Sequence, residues 1–222
     1  MIKNVIFDMD GTLTDSMFIW ESVIRESFRE AGATPPDNLK SVLRTKTLQQ
    51  SAAYIIEKYG LKMTVEEVVK NTVSKVMDFY TNRVLTKTGV NEFVAELHDR
   101  GVRMCVASVS ERPIVEAALR RNGILKYIDR IFTTGEVGHG KKEPHIYRAA
   151  MEYMGGDYSN TVVFEDEIHT IQTAKNDGFV VCGVAENTVP EQDQVKKLAD
   201  LYIKSFEEDH DAIMRFLEGL GA

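Results

Sequence analysis

Five short apolar runs, rich in β-branched residues and separated by helical patterns, constrain this chain more than any other feature. They are Val5-Ile6-Phe7, Val102-Arg103-Met104-Cys105-Val106, Arg130-Ile131-Phe132, Thr161-Val162-Val163-Phe164 and Phe179-Val180-Val181-Cys182-Gly183-Val184. Continuous apolar runs suit strands covered on both faces, and alternation of strands with helices favours a parallel sheet. The expected fold class is therefore α/β, a Rossmann-like three-layer core around a parallel sheet. Leu201-Tyr202-Ile203 offers one further edge strand.

The alternation fails only between the first run and the second, where several helical patterns follow one another without a strand. That stretch reads as an inserted α-helical cap over residues 16–85, leaving 1–15 and 86–222 to build the core. Helices are expected to start near Ser16, Thr47 and Thr64. The last carries Thr64 as N-cap, Glu67 in the reciprocal capping position, and Val65, Val68, Val69, Val73, Val76 and Phe79 as its apolar set. Gly89 then opens a helix through Phe93, Val94 and Leu97.

A formal net charge of -7 repels polyphosphate backbones and anionic surfaces. No basic run exceeds two residues, as in Lys141-Lys142 and Arg120-Arg121, so no nucleic-acid partner is expected. No apolar stretch is long enough to span a bilayer, and the opening residues turn acidic too soon for a secretory signal, so a cytoplasmic protein without a membrane partner is expected. Cys105 and Cys182 lie inside apolar runs and read as reduced core residues. The tail after Phe206 has the pattern of an amphipathic closing helix, compatible with a monomer or a homodimer.

In open parallel sheets ligands bind beyond the carboxyl ends of the strands, so the polar residues that directly follow the runs are the candidates for chemistry. The first run delivers Asp8 and then Asp10-Gly11-Thr12. The second delivers Ser108, the fourth delivers Glu165-Asp166, and Lys141 lies in the glycine-containing loop after the third. Four carboxylates near one point cannot all stay ionised without compensation, which implies a divalent cation. An oxygen-only donor set favours Mg²⁺ over zinc. The cation and the lysine together neutralise an incoming phosphate, which phosphoryl transfer requires. A simple Asp-Gly turn explains Asp10 and Gly11, but not Asp8, Ser108, Lys141 and Asp166 together.

Phe7-Asp8-Met9-Asp10-Gly11-Thr12-Leu13 and Val163-Phe164-Glu165-Asp166 resemble the first and last signature motifs of the haloacid dehalogenase superfamily, with Ser108 and Lys141 matching the other two. The chain is most similar to the phosphatases and β-phosphoglucomutases that carry a small helical cap. The resemblance implies that Asp8 is the nucleophile and forms an aspartyl-phosphate, and that Asp10 is the general acid and base. It implies that Mg²⁺ is held by Asp8, Asp166 and the Asp10 carbonyl, while Glu165 orients a metal-bound water. Lys141 and Ser108 would hold phosphoryl oxygens. The implied activity is hydrolysis of a small phosphorylated metabolite, a sugar phosphate or similar monoester.

An aspartate at position 10 sets the chain apart from the dehalogenases of that superfamily. In place of the family's Lys-Pro-x-Pro-Asp stands Lys141-Lys142-Glu143-Pro144-His145, and Glu167 and Thr170 replace the usual Ser and Gly of the last motif. Where the mutases carry a histidine and an arginine, this chain has Trp20 and Thr45-Lys46-Thr47-Leu48, which ranks hydrolysis above a phosphomutase reaction. The rivals from other classes are a phospho-aspartate receiver and a regulatory binding protein; the long insertion and the complete acidic set argue against both. Candidate substrate contacts are Trp20, Arg44, Lys46, Ser110 and Arg112. His139, His145 and His169 lie in or beside the motif loops, but lack ligand spacing and read as surface residues.

Overall fold

The computed structural model describes residues 2–36, 39 and 48–220. The chain divides into two compact units, Met1–Ser16 with Val84–Ala222, and the inserted Met17–Arg83.

The inserted unit is helical: α1 (Ile19–Glu30), α2 (Leu48–Tyr59) and α3 (Val65–Asn82). Thr64 and Glu67 cap α3 reciprocally, with Thr64 N donating to Glu67 Oε2 at 2.8 Å and Glu67 N to Thr64 Oγ1 at 3.2 Å. Ile24, Phe28, Leu39, Ala52, Ile55, Leu61 and Val68 form its core. Val73, counted by periodicity among the apolar set of α3, is 42% exposed. The buried stripe of the helix keeps Val68, Val76 and Phe79 of that set and adds Thr72 and Tyr80.

The larger unit is a Rossmann-like core. Its strands are β1 (Asn4–Phe7), β2 (Arg103–Ser108), β3 (Arg130–Thr133), β4 (Thr161–Glu165), β5 (Val180–Val184) and β6 (Leu201–Ile203), all parallel, in the order β3-β2-β1-β4-β5-β6. Between and after them run α4 (Val90–Asp99), α5 (Arg112–Arg121), α6 (Thr134–Val137), α7 (His145–Tyr153), α8 (Ile168–Asp177), α9 (Gln192–Leu198) and α10 (His210–Gly219). One face of the sheet, with Ile6, Cys105, Ala107, Val163 and Val181, packs on Ile146, Tyr147, Ala150, Ile171 and Ala174 of α7 and α8. On the other, Phe7, Phe93, Phe164 and Phe206 form a ring cluster, with Phe7 and Phe164 centroids 5.1 Å apart. Each of these rings is fully buried, which stabilises the core by roughly 2–3 kcal/mol per side chain. Both cysteines are free and buried; burial pushes the Cys105 thiol up to about 12, so it remains a protonated core residue.

This strand order reverses direction at β1 and β4, the place where open α/β sheets hold their ligands. The register pairs Phe7 with Phe164 on that side and with Val106 on the other. Residues that leave the carboxyl ends of β1, β2 and β4 therefore emerge side by side. The two chain segments that flank the insertion are also tied together at this edge: Asp15 N donates to Leu85 O at 3.1 Å and Lys87 N to Leu13 O at 2.9 Å. Gly89, with φ +84°, caps α4 from a left-handed conformation, and a Cβ there would lie 2.3 Å from Glu207 N. Among the described residues, no helix is long and apolar enough to cross a membrane.

Candidate active site

Asp8 N donates to Phe164 O at 2.9 Å, which carries the ladder one residue past the end of β1 and fixes where the Asp8 carboxylate starts. The chain then winds into a tight loop in which Leu13 N and Thr14 N both donate to Met9 O at 2.9 Å. Gly11 sits in that loop with φ +87°, and a Cβ on it would meet Asp166 Oδ2 at 2.5 Å. Glycine is needed there both for the backbone and for the close approach of the carboxylate. Gly11→Ala is expected to cost about 1–2 kcal/mol in backbone strain alone. It should also displace Asp166 and weaken divalent-cation binding at least about tenfold, as altered support of a ligand does. Thermal shift against a cation titration reads both effects, and a full-size cation shift in the variant would refute the packing argument.

Asp8, Glu165 and Asp166 are buried, with one carboxylate oxygen of each within 4.8 Å of the others. Lys141 enters from the loop between α6 and α7, 5% exposed, and its Nζ donates to Asp8 Oδ1 and, at 2.6 Å, to Glu165 Oε1. Burial pushes the Asp8 carboxyl up to about 8, opposed by Lys141 and reinforced by Glu165. Asp166 is driven well above the carboxylate range, by burial first and then by Asp8 and Glu165. Burial disfavours the charged form of Lys141, but Asp8 and Glu165 outweigh it and hold the ammonium protonated. Lys141 in direct contact, with Lys87 acting on Asp166, thus faces three buried carboxylates. The negative charge is under-compensated by the protein itself.

The donor set fits a hard divalent cation on two counts. All three groups are carboxylates. Thr12 Oγ1 donates to Asp166 Oδ1 at 3.1 Å, whereas the buried Asp166 Oδ2 has no hydrogen-bond partner among the described residues. An orphaned buried carboxylate oxygen of this kind is costly unless a cation completes it.

The profile of the haloacid dehalogenase-like hydrolases matches residues 5–184. This chain belongs to that family. Among similar proteins, the phosphorylated carbohydrates phosphatase of Thermotoga maritima is 24% identical over 178 residues, 80% of this chain and 82% of the relative. The validoxylamine A 7'-phosphate phosphatase of Streptomyces hygroscopicus subsp. limoneus is 24% identical over 208 residues, 94% of this chain and 96% of the relative. The same fold occurs in a crystal structure of a HAD family hydrolase from Deinococcus radiodurans R1 with bound phosphate and sodium. It has a TM-score of 0.78, 22% identity, and coverage of 99% of this chain and 97% of that one.

Asp10 and Ser108 join the same sheet edge. Each Asp10 carboxylate oxygen accepts from a serine hydroxyl, Oδ1 from Ser16 at 2.6 Å and Oδ2 from Ser110 at 2.7 Å. Ser108 is fully buried, and its Oγ accepts from Ser110 N at 3.0 Å. Ser110 thus buttresses both residues. Arg112, considered from sequence as an anion contact, has its guanidinium on Glu136 at 2.5 and 2.7 Å and on Ile131 O at 2.8 Å, where it ties α5 to the end of β3. Trp20 is half-buried on α1 in the inserted unit. Arg44 and Lys46 lie outside the described residues.

Sequence reasoning missed three supports. Tyr147 OH donates to Glu165 Oε1 at 2.8 Å, and burial raises its pKa well above the usual phenol value, which keeps that proton in place. Thr170 Oγ1 lies 2.8 Å from Glu165 Oε2. Ser16 completes Asp10. Of these only Thr170 left a trace in the sequence, as a hydroxyl where the family pattern has glycine.

Proposed function

We propose that the chain is a Mg²⁺-dependent phosphatase that hydrolyses a small phosphate monoester, sugar-phosphate-like, through an aspartyl-phosphate on Asp8. The observation that carries this reading is the meeting of Asp8, Lys141, Glu165 and Asp166 at the sheet edge where the strand order reverses. The names of the two curated relatives, both phosphatases and one of phosphorylated carbohydrates, support the substrate class.

Asp8 and Asp166 carboxylates with the Asp10 carbonyl would hold Mg²⁺, which when bound supplies electrostatic neutralisation of the phosphate and of the acidic cluster. An Asp8 oxygen attacks phosphorus, and the bond to the alcohol oxygen breaks. Asp10 gives its proton to that leaving oxygen. A water then loses a proton to Asp10 and attacks the phosphorus of the acyl phosphate, which releases inorganic phosphate and restores the Asp8 carboxylate. Ser16 and Ser110, one on each oxygen of Asp10, hold the carboxyl in one orientation through both proton transfers. Lys141 and Ser108 face the phosphoryl oxygens. Glu165, the third carboxylate of the cation cluster, also accepts from Lys141, Tyr147 and Thr170 and so positions the ammonium beside the cation site.

The test is phosphate release from a panel of phosphorylated metabolites with Mg²⁺ and with chelator. Activity is expected only with the cation, and Asp10→Asn is expected to lower kcat by about 100- to 10,000-fold, the range for loss of a general acid and base. Steady formation of an isomeric sugar phosphate without free phosphate would instead identify a mutase. Metal-independent release, or an Asp10→Asn variant as fast as the parent, would overturn the reading.

A further inference from the structure

The loop that delivers Lys141 carries a second cluster of ligand groups, on its outer surface. His139 Nδ1 lies 3.0 Å from Glu143 Oε2, and His145 Nε2 lies 3.1 Å from the same oxygen. The two imidazoles face each other with ring centroids 4.0 Å apart and an interplanar angle of 36°. One ligand atom from each of the three residues falls within 4.8 Å of the other two. All three side chains are exposed, His139 at 48%, Glu143 at 57% and His145 at 43%.

We infer that His139, Glu143 and His145 form a surface site for a borderline divalent cation, Zn²⁺, chemically distinct from the buried all-carboxylate cluster. Two imidazole nitrogens and one carboxylate oxygen are a zinc donor set, and they leave a fourth position open to water. The spacing agrees. Bonds of about 2.0–2.1 Å to a tetrahedral ion place neighbouring ligand atoms about 3.3 Å apart, so the observed 3.0 and 3.1 Å separations need only open by a few tenths of an ångström. The cation would replace two hydrogen bonds that converge on one oxygen.

The backbone cost is already met, because the loop is fixed from within. Lys141 anchors it through its buried contacts to Asp8 and Glu165, Glu143 N donates to Gly140 O at 3.1 Å, and His145 begins α7. Three ligands that close together in sequence chelate with little loss of chain entropy. Mg²⁺ is a poor competitor, since it favours oxygen ligands and dehydrates reluctantly. The location gives the site a consequence: an ion there braces the segment on which Lys141 sits.

The experiment uses the full chain at about pH 7.5, because metal binding by histidine competes with protons. With Mg²⁺ in large excess to occupy the carboxylate cluster, Zn²⁺ is titrated in competition with a chromogenic chelator. One Zn²⁺ per chain is expected, with affinity lowered at least about 10- to 100-fold in His139→Gln and in His145→Gln, and unchanged in Asp166→Asn. Co²⁺ added to the parent is expected to show visible ligand-field bands that His139→Gln lacks. Equal Zn²⁺ binding by the parent and both histidine variants would overturn the inference, as would loss of binding in Asp166→Asn. The exposed histidines can be replaced without disturbing the core. None of these readouts depends on phosphatase activity, so this site and the catalytic reading stand or fall separately.

Discussion

Asp8→Asn is expected to reduce phosphate release by on the order of ten-thousand-fold or more, the scale of losing a covalent nucleophile, while the protein stays folded. The carboxamide keeps the shape of the side chain but cannot form the acyl phosphate. Stability should move in the opposite direction to activity. Burial has raised the Asp8 carboxyl from 3.8 to about 8, so between those values the folded state holds a proton that the unfolded chain has released. Folded stability in chelator therefore falls as pH rises through that window, and the share of the fall that Asp8 contributes is absent for asparagine, while the share from the raised Asp166 remains. In chelator the melting temperature of Asp8→Asn relative to the parent is expected to climb from pH 5 towards pH 8, and Mg²⁺ should shrink the difference by pairing with the ionised parent. Melting curves across pH, with and without Mg²⁺, measure this. A flat difference would mean that the cluster is not electrostatically strained.

What the sequence displays well is what local chemistry determines. The five apolar runs became β1 to β5 because side chains buried on both faces need no alternation, and Thr64 with Glu67 caps α3 because both partners lie within one turn. Strand order was not legible. Nothing in Val5-Ile6-Phe7 says that it pairs with both Met104–Val106 and Val162–Phe164, since that choice depends on crossovers closed over long stretches of chain. The same limit hid the supports of the acidic cluster. Tyr147 reaches Glu165 from α7 and Ser110 reaches Asp10 across the sheet edge, contacts that only the assembled sheet creates. His139 and Glu143 are four residues apart and Glu143 and His145 two, a mixture of helical and strand spacings, and the segment between α6 and α7 is a turn, so no single period could place all three on one face.

Lys141→Met is expected to be the most destabilising single change in the core. Lys141 is 5% exposed and, among the described residues, its ammonium is the one group that donates to both Asp8 and Glu165, with Tyr147 OH sharing the same Glu165 oxygen. Removing one partner of a buried ion pair leaves the other uncompensated, at a cost of about 3–5 kcal/mol. For a chain of this length that corresponds to a fall in melting temperature of roughly 10 °C. Methionine fills most of the space of the lysine stem, so the loss reports charge rather than a cavity. Two controls separate that cause from general damage. Asp8→Asn combined with Lys141→Met should recover part of the lost stability, because the double variant has removed one of the stranded carboxylates, and residues in direct contact are non-additive. Mg²⁺ should also raise the melting temperature of Lys141→Met more than that of the parent, since the variant leaves more negative charge for the cation to neutralise. Catalysis is not expected to return with stability, because the cation cannot reproduce the lysine's hydrogen bond to a phosphoryl oxygen; loss of such a donor costs about 100- to 1,000-fold in kcat. If Lys141→Met melts with the parent and the double variant is merely additive, the ammonium is not what holds these acids together, and the charge balance proposed for the site is wrong.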